Sequence, residues 1–120
     1  GLLIQTVENK TLLEIGYSIL PKYWNQGYAS EASQKCKNYA FENHLADSLI
    51  SIVHIDNISS EKVTLKNGMR LEKSINYKEN PVNIFKITNI SIICVKLKIS
   101  VWNIKIINHN NCLIVKIFRY

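Results

Sequence analysis

Residue types that build linkers, disulfide frameworks and metal sites are scarce in this sequence. The 120 residues include four glycines and two prolines, which leave little room for long flexible linkers, and one domain is the expectation for this length. The three cysteines, Cys36, Cys94 and Cys112, form no CxxC pair, and an odd count does not suit a disulfide framework. We therefore expect free thiols in a reducing, cytoplasmic environment and no metal site.

Long apolar runs are also missing. No uninterrupted run approaches the roughly 18 residues of a membrane span. No positively charged start is followed by an apolar block, so no secretion signal is visible. We therefore expect no membrane association.

Acidic residues are absent from the last third of the chain. All nine lie between Glu8 and Glu79, where they balance the nine basic residues of positions 1–80, whereas positions 81–120 carry six bases and the whole net charge of +6. This asymmetry predicts a boundary, with one domain over residues 1–88 and a basic tail over 89–120. The tail has few aromatic residues and no recognisable nucleic-acid-binding pattern, so we expect no specific nucleic-acid binding. Its stretches Ile90–Val95 and Cys112–Phe118 suit either additional strands or edge-to-edge aggregation.

Short apolar runs and helical spacings alternate through the first 88 residues. The predicted strands are Leu2–Ile4, Leu12–Leu20, Leu49–Ile55, Met69–Ile75 and Val82–Ile87, with a turn around Asn76–Pro81. One predicted helix carries a stripe of small residues at Ala29, Ala32, Cys36 and Ala40. The other begins at an Asn57 N-cap and ends at Lys66, before Gly68, which suits a left-handed C-cap. This alternation predicts an α/β (α+β) fold with a mixed sheet, helices and at least one parallel strand pair.

The turn Trp24-Asn25-Gln26-Gly27-Tyr28-Ala29 lies between a predicted strand and a predicted helix. A glycine there lets backbone approach a ligand closely, and the first N–H groups of the helix carry a partial positive charge. Such a turn suits a phosphate or pyrophosphate, and a plain turn is the alternative interpretation.

Two blocks of sequence resemble the GNAT superfamily of N-acetyltransferases. The run from Glu14 to Ala32 is similar to the coenzyme A signature of that family, and closest to the ribosomal-protein-alanine N-acetyltransferase branch. Downstream, six positions match the branch pattern Asn-x-x-Ser-x-x-Val-x-x-Lys-x-Gly-Phe; they are Asn57, Ser60, Val63, Lys66, Gly68 and Met69. The resemblance covers roughly residues 1–88 and implies a partial GNAT fold that lacks the N-terminal strands of the family.

The resemblance also implies an activity, transfer of acetyl from acetyl-CoA, as co-substrate, to a primary amine on a protein N-terminus or a small molecule. Glu14–Leu20 would be the family's fourth strand, which splays from the fifth, Leu49–Ile55, to admit acetyl-CoA. The pyrophosphate would be held by the turn residues Trp24, Asn25, Gln26, Gly27, Tyr28 and Ala29. Asn57 would lie near the pantetheine arm.

Two residues are implied as catalytic: Glu14 as the base that deprotonates the amine, and Ser60 as the acid that protonates the departing thiolate. Each has a structural alternative. Glu14 could be a solvated edge residue, Ser60 an ordinary residue of a first helical turn, and Asn57 an N-cap alone.

Several positions depart from the family pattern. Asn25 replaces the usual first glycine but tolerates a left-handed conformation; Gln26 replaces a basic residue; Thr64 stands where other branches have a tyrosine acid. Only about a dozen residues precede the strand at Glu14, and residues 89–120 have no family counterpart. The tail composition is typical of AT-rich sequence translated past a frameshift or lost stop codon, which we state as a hypothesis. The second hypothesis for function is therefore a non-catalytic CoA-binding remnant or interaction module, and the sequence leaves oligomerisation open.

Overall fold

The computed structural model describes residues 1–90 in full and, beyond them, the backbone of two strands, Trp102–His109 and Cys112–Arg119. The chain divides into two compact units, Gly1–Asn89 and Ile90–Tyr120. In the second unit the two strands form an antiparallel hairpin. The predicted stretch Cys112–Phe118 is therefore strand, whereas Ile90–Val95 lies outside the described residues after Ile90.

The first unit is a five-stranded mixed sheet with two helices. In chain order its elements are β1 (Leu2–Val7), β2 (Lys10–Ile15), a 3-10 turn (Pro21–Tyr23), α1 (Tyr28–Glu42), β3 (Ser48–His54), α2 (Ile58–Lys66), β4 (Arg70–Tyr77) and β5 (Asn80–Thr88). The strand order is β1-β2-β3-β5-β4. The β2–β3 pair is parallel and the other pairs are antiparallel, which confirms the predicted mixed sheet. No helix in the described part of the chain is long and apolar enough to cross a membrane.

Apolar side chains are buried on both faces of the sheet. On one face Ile15, Leu49 and Phe85 pack against Ala40 of α1. On the other face the buried residues are Val7, Ile50, Val82 and Ile84. Across this second face the two outer strands are joined by side chains, because Lys73 of β4 pairs with Glu8 and Tyr77 of β4 donates to Gln5 of β1. The sheet is therefore curved enough to bring its outer strands within side-chain reach.

The predicted strand Leu12–Leu20 is wrong beyond Ile15. The Gly16 N–H still donates to the Gly1 carbonyl at 3.0 Å, but residues 16–20 have no regular structure and Pro21 begins the 3-10 turn. Gly16 itself is closely approached, since an added Cβ would lie 2.9 Å from Cδ1 of Leu3.

The predicted small-residue stripe of α1 is wrong at Ala32. Ala32 is exposed, and the buried residues of the helix are Ser33 and Ala40. The Ser33 hydroxyl donates to the Ala29 carbonyl one turn earlier at 2.7 Å, so this polar side chain is satisfied while buried. Burial without loss of a hydrogen bond lets serine take the inner position.

Candidate functional site

A cleft opens where β2 and β3 separate. Their parallel pairing covers two residue pairs, Leu13 with Leu49 and Glu14 with Ile50. Beyond these pairs the strands are linked by a side chain, because the Ser51 hydroxyl donates to the Ile15 carbonyl at 3.0 Å. The resulting cleft has a volume of about 490 Å³ and is lined by residues of both strands and of the segment that follows β2.

Glu14 lies inside this cleft and is 8% exposed. One carboxylate oxygen, Oε2, accepts from Nε2 of Gln5 at 2.7 Å, and the other, Oε1, accepts from the Ile52 N–H at 3.4 Å. Its interpretation as a solvated edge residue is therefore wrong. Among the described residues that line the cleft, Glu14 has the only acidic side chain, which can hold an ammonium group or accept its proton.

The turn before α1 has the backbone that close approach to an anion requires. Asn25 and Gly27 both have positive φ, 57° and 83°, and asparagine tolerates the left-handed conformation that Asn25 adopts. The first intrahelical hydrogen bond runs from the Glu31 N–H to the Gly27 carbonyl at 3.0 Å. The N–H groups of residues 28–30 come before it, and Gly27, the N-cap, contributes no capping side chain.

The side chains of this turn fold back onto the preceding segment. Trp24 donates from Nε1 to the Ile19 carbonyl at 2.7 Å, and Gln26 donates from Nε2 to the Lys22 carbonyl at 2.9 Å. The rings of Tyr23 and Tyr28 meet edge to face at 5.8 Å. These contacts tie the loop to the preceding segment, and residues 24–28 are exposed, so an anion can reach the turn. An added Cβ at Gly27 would meet no heavy atom within 4 Å.

An apolar groove links the turn to the cleft. It has a volume of about 510 Å³ and is lined by Ser18, Ile19, Leu20, Tyr23 and Tyr28. Ser18 also lines the Glu14 cleft, so the two cavities are neighbours along residues 16–20. A long ligand with an anionic group at one end and a reactive group at the other could occupy both.

Asn57 caps α2, since its Oδ1 accepts from the Ser60 N–H at 3.1 Å. The cap uses only the oxygen of the Asn57 amide. Ser60 is half-buried and, among the described residues, is not one that lines the Glu14 cleft. The structure connects it to the site through Tyr17, which lines the cleft and donates from its hydroxyl to the Ser60 carbonyl at 3.4 Å.

Three residues of the site were missed by the sequence analysis. Gln5 contacts Glu14, Ser51 bridges the separating strands, and Tyr17 connects the cleft to α2. The β1–β2 hairpin register places Leu3 opposite Glu14, so Gln5 is a diagonal neighbour of Glu14 and could have been found from that register. Ser51 and Tyr17 carry no comparable signal, because their partners lie 36 and 43 positions away.

Comparison with known proteins identifies this architecture. The profile of the acetyltransferase (GNAT) domain matches residues 1–70. YkkB, an uncharacterized protein of Bacillus subtilis (strain 168), is 31% identical over 86 residues, which are 72% of this chain and 50% of that protein. YnaD, an uncharacterized N-acetyltransferase of the same strain, is 42% identical over 59 residues, or 49% of this chain and 35% of that protein.

A solved structure shares the fold. The crystal structure of a GNAT-family acetyltransferase from Bacillus anthracis superposes with a TM-score of 0.62 at 28% identity, covering 72% of this chain and 56% of that one. The fold is thus that of the acyl-CoA N-acyltransferases. The chain belongs to the GNAT acetyltransferase family. It spans about half the length of YkkB.

Proposed function

We propose that residues 1–88 carry the acetyl-CoA-binding part of an N-acetyltransferase, and that residues 89–120 form a tail outside the family pattern. The acceptor is a primary amine on a protein N-terminus or a small molecule, and the branch is that of the ribosomal-protein-alanine N-acetyltransferases. The observation that carries the proposal is the buried Glu14 carboxylate in a cleft that continues, through Ser18, toward the left-handed turn before α1. Family membership supplies the class of reaction.

The turn and the start of α1 would hold the pyrophosphate. The N–H groups of residues 28–30 precede the first helical hydrogen bond, and the helix dipole adds roughly half a positive charge at this end. Trp24, Asn25, Gln26 and Gly27 shape the turn, with Tyr28 and Ala29 at the helix start. The Asn57 amide would contact the pantetheine arm, because its cap on α2 leaves the NH₂ group for a ligand.

In the cleft, Glu14 would accept a proton from the acceptor ammonium, which yields the neutral amine that attack requires. Acetyl-CoA, when bound, supplies an activated acyl thioester. The amine nitrogen forms the new bond to the acyl carbon, the carbon–sulfur bond breaks, and a proton returns to the sulfur. We assign the donation of that proton to the Ser60 hydroxyl, which would take up in exchange the proton that the acylated nitrogen loses. Glu14 would release its own proton to solvent. The Ser60 carbonyl accepts a hydrogen bond from Tyr17, which lines the cleft.

Thermal unfolding with and without acetyl-CoA tests the binding half of this proposal. Acetyl-CoA at about one hundred times its Kd should stabilise the protein by roughly 2.7 kcal/mol. Gly27→Glu should abolish the shift by placing a carboxylate at the phosphate site. Gly27→Asn is the matched control, because asparagine tolerates the left-handed conformation and adds no charge, so its shift should persist. Equal shifts in wild type and Gly27→Glu would contradict the assignment of the loop.

A coupled thiol-release assay tests the transfer half. Wild type should release CoA thiol with a peptide that begins with alanine, and more slowly when that N-terminus is blocked. The alternative, a non-catalytic CoA-binding remnant, is favoured by one observation, that Ser60 does not line the cleft among the described residues. It predicts a normal acetyl-CoA shift and no thiol release with any of a broad panel of amines.

A further inference from the structure

Gln5 lies between Glu14 and Tyr77 and makes a hydrogen bond with each. Its Nε2 donates to Oε2 of Glu14 at 2.7 Å, and its Oε1 accepts from the Tyr77 hydroxyl at 3.1 Å. Tyr77 belongs to β4, the outer strand opposite β1, so the chain of contacts runs across the curved face of the sheet. All three side chains are buried or half-buried.

The donor and acceptor groups of the three side chains can be paired in only one way. An ionised carboxylate only accepts hydrogen bonds, so the NH₂ end of the Gln5 amide must face Glu14. The opposite end is then an acceptor, which the Tyr77 hydroxyl satisfies as a donor. With both ends bonded, the amide of Gln5 has one favourable orientation, and Glu14 receives its donor at a defined angle.

Glu14 is therefore held from two sides. Gln5 of β1 bonds one carboxylate oxygen and the Ile52 N–H of β3 bonds the other. These two donors come from the strands on either side of β2, where the cleft opens. These two hydrogen bonds fix the orientation of the carboxylate and therefore of its remaining lone pairs.

The geometry points to Gln5 as a positioning residue for the Glu14 base, anchored in turn by Tyr77. This inference rests on the proposed function, since it assigns a role in the same reaction. Gln5 does not contact the reacting atoms; it sets the orientation of the carboxylate that does. When a reactive group is displaced or rotated from its productive geometry, the rate of the chemical step falls, whereas substrate binding is largely unaffected.

Steady-state kinetics of the full chain tests this role. Gln5→Leu should lower kcat about tenfold and leave the KM for acetyl-CoA unchanged, because the turn before α1 is untouched. Tyr77→Phe, which keeps the ring and removes only the hydroxyl, should lower kcat about threefold. Gln34→Leu makes the same chemical change on the exposed side of α1 and should leave both constants unchanged.

A double variant separates positioning from a general structural effect. In a Glu14→Gln background the Gln5→Leu change should cause no further loss of kcat, because the group that Gln5 orients is already gone. Losses that multiply independently, or a Gln5→Leu enzyme with wild-type kcat, would overturn the inference. A lowered melting temperature with unchanged kcat would likewise show a purely structural role.

Side-chain NMR tests the role of Gln5 without an activity measurement, so its outcome does not depend on the proposed function. On ¹⁵N-labelled protein, the Gln5 amide signals are identified by their loss in Gln5→Leu, and they should move in both Glu14→Ala and Tyr77→Phe. A chain that binds acetyl-CoA and transfers no acetyl group contradicts the proposed function. Gln5 signals that stay in place in Glu14→Ala contradict the positioning role, whatever the activity.

Discussion

Glu14 combines burial with two hydrogen-bond donors in a cleft. A carboxylate taken out of water is kept charged by such donors, and the cost of burying it unpaired would be several kcal/mol. The structure satisfies this requirement from the neighbouring strands and leaves the carboxylate lining the cavity. These features distinguish Glu14 from a surface charge and support its proposed role as a base.

Glu14→Gln tests the residue directly. The amide retains the shape and can still accept from Gln5, but it cannot take a proton, so kcat/KM should fall by about two orders of magnitude. The stabilisation by acetyl-CoA should be unchanged. Glu42→Gln, an exposed change at the end of α1, is the control and should have wild-type rates. A Glu14→Gln enzyme of undiminished kcat/KM would remove Glu14 from the mechanism.

Asn57 has a structural role that the structure shows and a ligand role that we propose, and two variants separate them. Asn57→Ala should lower the free energy of unfolding by about 1 kcal/mol through loss of the cap, as measured by urea denaturation. Asn57→Asp keeps a capping oxygen and removes the amide NH₂ group. It should therefore retain stability while raising the Kd for acetyl-CoA several-fold, and an unchanged Kd would leave Asn57 as an N-cap alone.

At the scale of elements, both hairpins of the sheet turn through pairs of residues with positive φ. The β1–β2 turn uses Glu8 and Asn9, and the β4–β5 turn uses Lys78 and Glu79. Two-residue hairpin turns of this kind favour asparagine and glycine, because other side chains meet the backbone in the left-handed region. The predicted turn at Asn76–Pro81 is confirmed, and its residues are not the favoured ones.

Glu79→Gly should therefore stabilise the protein. Glu79 has φ of 66°, and relief of a left-handed conformation is worth about 1 kcal/mol, partly offset by the greater freedom of glycine when unfolded. Urea denaturation should show a higher midpoint with an unchanged slope. Glu42→Gly, the same replacement in the last turn of α1, should not stabilise. A lower midpoint for Glu79→Gly would show that its side chain contributes more than its backbone strain costs.

At the scale of the whole molecule, the two compact units also differ in net charge. Residues 1–89 carry ten basic and nine acidic residues, a net charge of +1, whereas the full chain carries +6. Every residue assigned to the candidate site lies in the first unit. The boundary predicted at residue 88 and the origin proposed for the tail both stay predictions.

Truncation after Asn89 tests the independence of the first unit. If residues 1–89 contain the whole acetyl-CoA site, the shortened chain should melt cooperatively and keep its acetyl-CoA shift. Salt-dependent retention on a cation exchanger should fall with the loss of five basic residues, Lys96, Lys98, Lys105, Lys116 and Arg119. A chain that no longer melts cooperatively would show that the tail contributes to the folded state.

Local features were determined by the sequence itself. The left-handed turn at Asn25 and Gly27, the Asn57 cap and the alternation of strands and helices follow from residues within a few positions of one another. Backbone preference and periodicity act over that range. The predicted small-residue stripe of α1 was wrong at Ala32, because Ser33, whose hydroxyl is hydrogen-bonded within the helix, is buried instead.

Only the tertiary structure decided where β2 ends, which donors bind the Glu14 carboxylate and that Tyr77 anchors Gln5. The Ile52 N–H is 38 positions from Glu14, and the Tyr77 hydroxyl is 72 positions from Gln5. Such contacts depend on the parallel pairing of β2 with β3 and on the curvature of the sheet, which no local preference specifies. The sequence by itself determined the turn that suits a phosphate, and the folded sheet determined the cleft in which a carboxylate can act.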